Sequence, residues 1–154
     1  MDKRRTIEKG LLIVYALGML VLLFHRAPAH SGEPYAQELL RHVNLMPLKT
    51  IRLYWGLLPH PRPPLVRLAV INLAGNVVMF IPLGYLLPSA FPRLQKVWRT
   101  MLACTGIICL VELCQMVTLL GTCDIDDLIL NLLGCAIGYG LHFLTNRKSK
   151  PEPT

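Results

Sequence analysis

The chain has 154 residues, of which 53% are apolar and only 16% are charged. A soluble domain carries about 25% charged residues, so this composition excludes an ordinary water-soluble protein and indicates a single integral membrane domain. The formal net charge of +7 would suggest a nucleic acid partner for a soluble protein. Here the basic residues flank apolar blocks, so membrane topology explains the charge and no nucleic acid partner is expected.

The first apolar block, Ile7 to Phe24, follows a basic N-terminal stretch. It is long enough to cross a membrane, which takes about 20 residues. Ala27 and Ala29 then form an A-x-A-like pattern typical of signal-peptide cleavage, whereas the intervening His25 and Arg26 favour a retained helix. We expect a retained anchor.

The next segment is polar, but two stretches in it are predicted to be helical, PYAQELLRHV and LKTIRLYWGLL. The second mixes Lys49 and Arg52 with Trp55, a combination typical of an interfacial helix. The proline-rich run Pro59 to Pro64 cannot continue a helix, so it predicts an extended lead into the next span.

Three further apolar blocks follow: Leu65 to Pro88, Thr100 to Leu120 and Ile125 to Leu144. With the first block they predict an all-α polytopic membrane bundle of four transmembrane helices. Lys and Arg cluster before the first span, between the second and third, and after the fourth, whereas the GTCDIDD turn carries aspartates and no cation. The positive-inside rule therefore predicts that both termini are cytoplasmic.

This topology divides the chain into four expected parts. They are an N-terminal anchor (1–24), an extracytoplasmic loop (25–64), a three-helix core (65–144) and a short disordered cytoplasmic tail (145–154).

Polar side chains are costly inside a membrane, so those within the spans are candidate functional residues. Asn72 and Asn76 are four residues apart in the second span, and Glu112 and Gln115 are three apart in the third. Each pair therefore shares one face of its helix. Interhelical hydrogen bonding is the alternative role for amides such as Asn72 and Gln115.

In the fourth span a stripe with helical spacing should face the bundle; it consists of Asp127, Asn131, Gly134 and Gly138. Asp124 is a candidate N-cap of this helix. Asp126 points away from the stripe and is expected to be solvated.

At 1.5 Å per residue, all these polar groups lie in the outer half of the membrane. We therefore predict a polar pocket near the extracytoplasmic face, with Asp124 and Asp127 at its rim, while His142 is expected to be interfacial near the inner end. The cysteines and histidines lack the spacings of metal or disulfide sites, so no metal or cofactor is expected.

Four segments resemble the VanZ-like family of bacterial membrane proteins. They are NLMPLKTI (Asn44 to Ile51), NLAGNVVMFIPLG (Asn72 to Gly84), ELCQ with the pair Glu112 and Gln115, and DIDDLILNLLGCAIGY (Asp124 to Tyr139). They occur in the family's order and cover most of the chain from Asn44 onward. The resemblance implies a protein of the bacterial cytoplasmic membrane that lowers susceptibility to lipid-tailed glycopeptides such as teicoplanin. It also implies motif positions at Asn76, Glu112, Gln115, Asp124, Asp127 and Asn131.

One departure from the family is that Cys123 precedes the DxDD segment, where many relatives carry a basic residue. Arg67 or an arginine of the outer loop is a candidate substitute.

Three functions remain open at this point. The favoured one is binding or shielding at the outer face, with membrane lipids and teicoplanin or a lipid-linked cell-wall precursor as partners. The second is an enzyme acting on a lipid or cell-wall intermediate, with Glu112 and Asp127 as acid and base. The third is a proton-coupled transporter or assembly subunit in which Glu112 carries the proton. Gly134 and Gly138 also offer a contact for an oligomer.

Overall fold

The computed structural model describes residues 3–25 and 32–147. In chain order these residues form α1 (Lys3–Phe24), α2 (Tyr35–Arg41), β1 (Val43–Asn44), α3 (Lys49–Leu57), α4 (Pro63–Ala90), a 3-10 turn (Pro92–Leu94), α5 (Val97–Val117), β2 (Cys123–Asp124) and α6 (Ile125–Arg147). The helices α1, α4, α5 and α6 are long and apolar enough to cross a membrane. The predicted four-helix membrane bundle is therefore confirmed. Ala27, Ala29 and most of the predicted tail lie outside the described residues.

Both termini of the bundle lie at the same end. The Arg4 guanidinium donates a hydrogen bond to Asn146 Oδ1 at 2.9 Å, which joins the start of α1 to the last turn of α6. The Tyr139 hydroxyl donates to the carbonyl of Gln95 at 2.8 Å, which places the connection between α4 and α5 at that end as well. We call this the termini end and the opposite one, with α2, α3 and the two short strands, the loop end. The basic flanks of the described chain thus share one end, as the positive-inside pattern requires.

The closest helix pair is α4 and α6, which run parallel. Gly134 lies against the carbonyl of Val77, and Gly138 lies against the carbonyl of Ile81, so that a Cβ atom at either glycine would overlap backbone. Spacing of small residues every four positions permits such close approach. The stripe on the fourth span therefore faces the bundle as predicted. Because α4 covers it, an oligomer contact through the same two glycines would require α4 to be displaced.

Two further hydrogen bonds, besides that of Arg4, tie the anchor helix α1 to the bundle. The Tyr15 hydroxyl donates to the carbonyl of Met79 on α4 at 2.8 Å. The Gln115 amide on α5 donates to the carbonyl of Leu23 at 3.2 Å. The rest of α1 is largely exposed and apolar, as a lipid-facing helix requires.

The two helices predicted between the first and second spans are confirmed as α2 and α3. The predicted extended lead is shorter than expected, because α4 already begins at Pro63. Proline is tolerated in the first turn of a helix, where the missing N–H has no partner to lose.

Candidate functional site

The site begins with Asp126, which holds the loop onto the bundle. Its carboxylate accepts backbone hydrogen bonds from Leu48 at 2.5 Å, Thr50 at 2.7 Å and Ile51 at 3.0 Å. Leu48 adopts a left-handed conformation with φ of 63° at the start of α3. Asp126 is completely buried, so the expectation that it is solvated is wrong. The loop folds back over α6 and covers the helix face that points away from the bundle.

Asp124 makes a second set of contacts between the same two segments. One carboxylate oxygen accepts the Asp126 N–H at 2.9 Å, which confirms Asp124 as the N-cap of α6. The other accepts hydrogen bonds from the Asn44 amide at 3.0 Å and the Thr50 hydroxyl at 2.5 Å. We call Asp124 and Asp126 the aspartate clamp, because together they fix the loop to the start of α6.

A short parallel ladder reinforces the clamp. Val43 pairs with Cys123 and Asn44 pairs with Asp124, and the Cys123 N–H donates to the carbonyl of His42 at 2.7 Å. Sequence reasoning did not predict this ladder. It brings the NLMPLKTI and DIDD segments, two of the motifs on which the family resemblance rests, into direct contact.

Below the clamp lie Glu112 and Asp127, the two carboxylates that the sequence offered as an acid and base pair. Asp127 accepts a hydrogen bond of 2.5 Å from the Asn76 amide of α4. Glu112 of α5 is 6% exposed, accepts the Asp124 N–H at 3.4 Å and lies within electrostatic range of Asp127. The structure thus brings together Asn76, Glu112 and Asp127. Among the described residues, neither carboxylate forms an ion pair with a lysine or an arginine.

The remaining predicted residues divide into three cases. The Asn72 amide donates to the carbonyl of Leu68 on its own helix at 2.8 Å and also lines the cavity described below. Gln115 turns towards α1 and is not part of the cluster, so interhelical hydrogen bonding is its observed role. Asn131 is 3% exposed, and its buried Oδ1 has no hydrogen-bond partner among the described residues.

A polar cavity of about 260 Å³ lies at the loop end between the loop and the bundle. Its walls come from the α2–β1–α3 region, the turn before α6, α4 and α6 itself. The polar and charged lining residues are Arg41, His42, Asn44, Lys49, Thr50, Tyr54, Asn72, Thr122, Asp124 and Asp127. A pocket of this kind was predicted, with both aspartates at its edge.

The two cations of the cavity, Arg41 and Lys49, were not predicted as site residues. Lys49 was assigned to an interfacial helix, and nothing in the local sequence indicates that the loop folds onto α6. Arg41, from the segment predicted to be the outer loop, lines the same cavity as Asp124 and Asp127 of the DxDD segment, whereas Arg67 lines a different surface groove.

A second polar cluster lies at the termini end. Ser89 Oγ and His142 Nδ1 are 2.7 Å apart, and Asn146 contacts the same imidazole. His142 is 7% exposed, so it is buried in the bundle near the C-terminal end of the fourth span, and its position at the membrane interface stays a prediction. The cluster lies at the opposite end of the bundle from the polar groups that the sequence placed in the outer half. The position of His142 four residues after Gly138 continues the stripe of α6, a signal that could have identified it.

In the described residues, no group of three or more His, Cys, Asp or Glu side chains is arranged to hold a metal ion. The chemistry that the site offers is hydrogen bonding and charge. The aspartate clamp is satisfied by the loop, while Asp127, Arg41 and Lys49 are the charged groups with which a ligand in the cavity would interact.

Comparison with curated proteins gave no match, and comparison with solved structures gave none. A family model described as VanZ/LLP1 matches residues 12–146, nearly the whole chain. The motifs that resemble this family also form the contacts between loop and bundle. The chain therefore belongs to the VanZ/LLP1 family of membrane proteins.

Proposed function

We propose that this protein binds the polar head of a lipid-tailed molecule at the outer face of the bacterial cytoplasmic membrane. By doing so it lowers susceptibility to lipid-tailed glycopeptides such as teicoplanin. The observation that carries the proposal is the polar cavity at the loop end, which is lined by two cations and two carboxylates and lies beside exposed apolar residues.

The size and lining of the cavity define what part of a ligand enters it. Pockets for drug-sized ligands are about 300–1,000 Å³, so a cavity of about 260 Å³ holds a headgroup or one arm of a larger molecule. Arg41 and Lys49 suit a phosphate or carboxylate, while Asp127 and Asn72 suit hydroxyl and amide groups. A teicoplanin arm and a cell-wall precursor headgroup both carry such groups.

The rim of the cavity suits a hydrocarbon tail. Leu45, Met46 and Trp55 are each more than half exposed, and they lie on the loop that forms the cavity wall. Exposed apolar side chains beside a polar cavity are typical of a protein surface in contact with lipid. A lipid-tailed ligand therefore gains an interaction that a ligand without a tail lacks.

Binding is favoured over the enzymatic alternative because the two carboxylates are not equally accessible. Asp127 lines the cavity, whereas Glu112 lies beneath it and is not among the lining residues. A general acid or base must reach the reacting group within hydrogen-bonding distance or through one water molecule.

The proposal requires the loop end to face the outside of the cell. The sharing of one end by the basic flanks supports this orientation. With labelling read at the introduced cysteine by peptide mass mapping, Glu33→Cys at the loop end should react with a membrane-impermeant maleimide in intact cells, and Gln95→Cys at the termini end should react only after lysis. The reverse pattern would contradict the proposed orientation.

The functional test uses a teicoplanin-sensitive Gram-positive host that expresses the protein, with membrane levels matched by immunoblot. Wild type should raise the inhibitory concentration of teicoplanin but not that of vancomycin. Lys49→Ala and Asp127→Asn should lose that protection. Arg52→Ala, an exposed cation on α3 outside the cavity, is the matched control and should retain it. Equal protection against both drugs, or full protection by the cavity variants, would refute the proposal.

A further inference from the structure

A second recess lies on the exposed surface of α4 near its N-terminal end and shares no lining residue with the polar cavity. It has a volume of about 700 Å³, and its lining includes His60, Val66, Arg67, Val70 and Ile71. We infer that this groove binds an anionic phospholipid, with the phosphate at Arg67 and His60 and an acyl chain along the three aliphatic residues.

The level of Arg67 in the membrane supports a phosphate contact. A hydrocarbon core of about 30 Å corresponds to about 20 helical residues, and counting this length back from the end of α4 at Ala90 reaches Val70. Arg67 lies about one turn beyond that boundary, where lipid phosphates are found, while Val70 and Ile71 lie at the edge of the hydrocarbon. The groove thus matches a phospholipid in both polarity and position.

Both polar groups of the groove are available to a ligand. No hydrogen bond or ion pair is shown between the Arg67 side chain and another described residue, and this side chain is exposed. His60 Nδ1 accepts the Arg62 N–H at 3.1 Å, so the neutral imidazole carries its proton on Nε2 and is a donor on that side. A guanidinium and an imidazole N–H are suitable partners for phosphate oxygens.

The choice of an anionic lipid follows from charge. Arg67 carries a full positive charge and the described lining of the groove contains no carboxylate. The phosphate of an anionic lipid is attracted to Arg67 without opposition from another charge on the headgroup. The choline of a zwitterionic lipid brings a second positive charge to the same surface and so weakens the net attraction.

The test is lipid binding to the full-length protein in detergent micelles, measured by native mass spectrometry. Phosphatidylglycerol should bind at least about tenfold more tightly than phosphatidylcholine, and Arg67→Ala should weaken phosphatidylglycerol binding by about tenfold. Arg67→Lys should retain most of the affinity because it keeps the charge. Arg52→Ala removes a cation of the same loop end outside the groove and should have no effect.

Equal affinity for both lipids, or unchanged phosphatidylglycerol binding to Arg67→Ala, would overturn the inference. If size-exclusion chromatography shows that Arg67→Ala is misfolded, His60→Ala replaces it in the same assay, and unchanged phosphatidylglycerol binding to that variant would overturn the inference. These results are independent of the cavity proposal, since neither variant changes a residue of the cavity.

Discussion

The aspartate clamp makes a prediction that can be worked out in detail. Asp126→Ala removes the acceptor for three backbone N–H groups, those of Leu48, Thr50 and Ile51. A hydrogen bond to a charged group contributes about 1.5 kcal/mol or more, so three of them contribute about 4.5 kcal/mol. The equilibrium constant for opening of the loop should then rise by about three orders of magnitude.

Hydrogen–deuterium exchange of the full-length protein in nanodiscs measures this opening directly. Amides in residues 44–52 should exchange far faster in Asp126→Ala, while the middle of α4 should keep its protection. Glu33→Gln is the control, because the Glu33 to Arg41 ion pair of 3.9 Å is exposed and such pairs contribute little. An increase below about tenfold in residues 44–52 would refute the reasoning, since it would mean that the clamp does not hold the loop.

Two further predictions concern packing and thiol chemistry. Gly138→Ala should destabilise the protein by about 3 kcal/mol or more in thermal unfolding, because the added Cβ would overlap the backbone of α4. Gly140→Ala is the control, since a Cβ there meets open space and should leave the stability unchanged. Equal melting temperatures of the two variants would contradict the parallel α4–α6 contact. Burial and the neighbouring Glu112 raise the pKa of the Cys123 thiol, so less thiolate is present at a given pH. The rate of maleimide labelling should therefore reach half of its maximum at a pH above about 8.5, the ordinary pKa of a cysteine thiol. Peptide mass mapping across a pH series measures this, and a midpoint at or below that value would contradict it.

The long helices could be predicted because membrane spans are encoded locally. Each of the four apolar blocks became one helix, and the differences are confined to the ends, such as the start of α4 at Pro63 rather than Leu65. Contacts that follow from helical periodicity were also predictable. The inward positions of Asn76, Asp127, Gly134 and Gly138 follow from the spacing of residues on one helix face, whereas the hydrogen bond between Asn76 and Asp127 was not predicted.

The loop contacts could not be predicted, because they join residues far apart in the chain. Periodicity describes only the face that a helix turns to the other long helices, so it assigned Asp126 to solvent although the loop buries it. The ladder between Asn44 and Asp124 joins two-residue segments with no strand signal of their own. Arg41 and Lys49 reach the cavity only because this folding-back occurs.

The last prediction separates binding from acid–base chemistry at Glu112. The structure shows Glu112 accepting the N–H of Asp124 from beneath the cavity, which makes it a positioning residue for the turn that carries the clamp. Glu112→Gln keeps an acceptor oxygen and the same size, but it removes the ionisable group. If positioning is its role, Glu112→Gln should retain most of the teicoplanin protection at matched membrane levels, while Glu112→Ala should lose it. A general acid, base or proton carrier cannot be replaced by an amide. Loss of protection in a well-folded Glu112→Gln protein would therefore contradict the positioning role and favour catalysis or proton transfer.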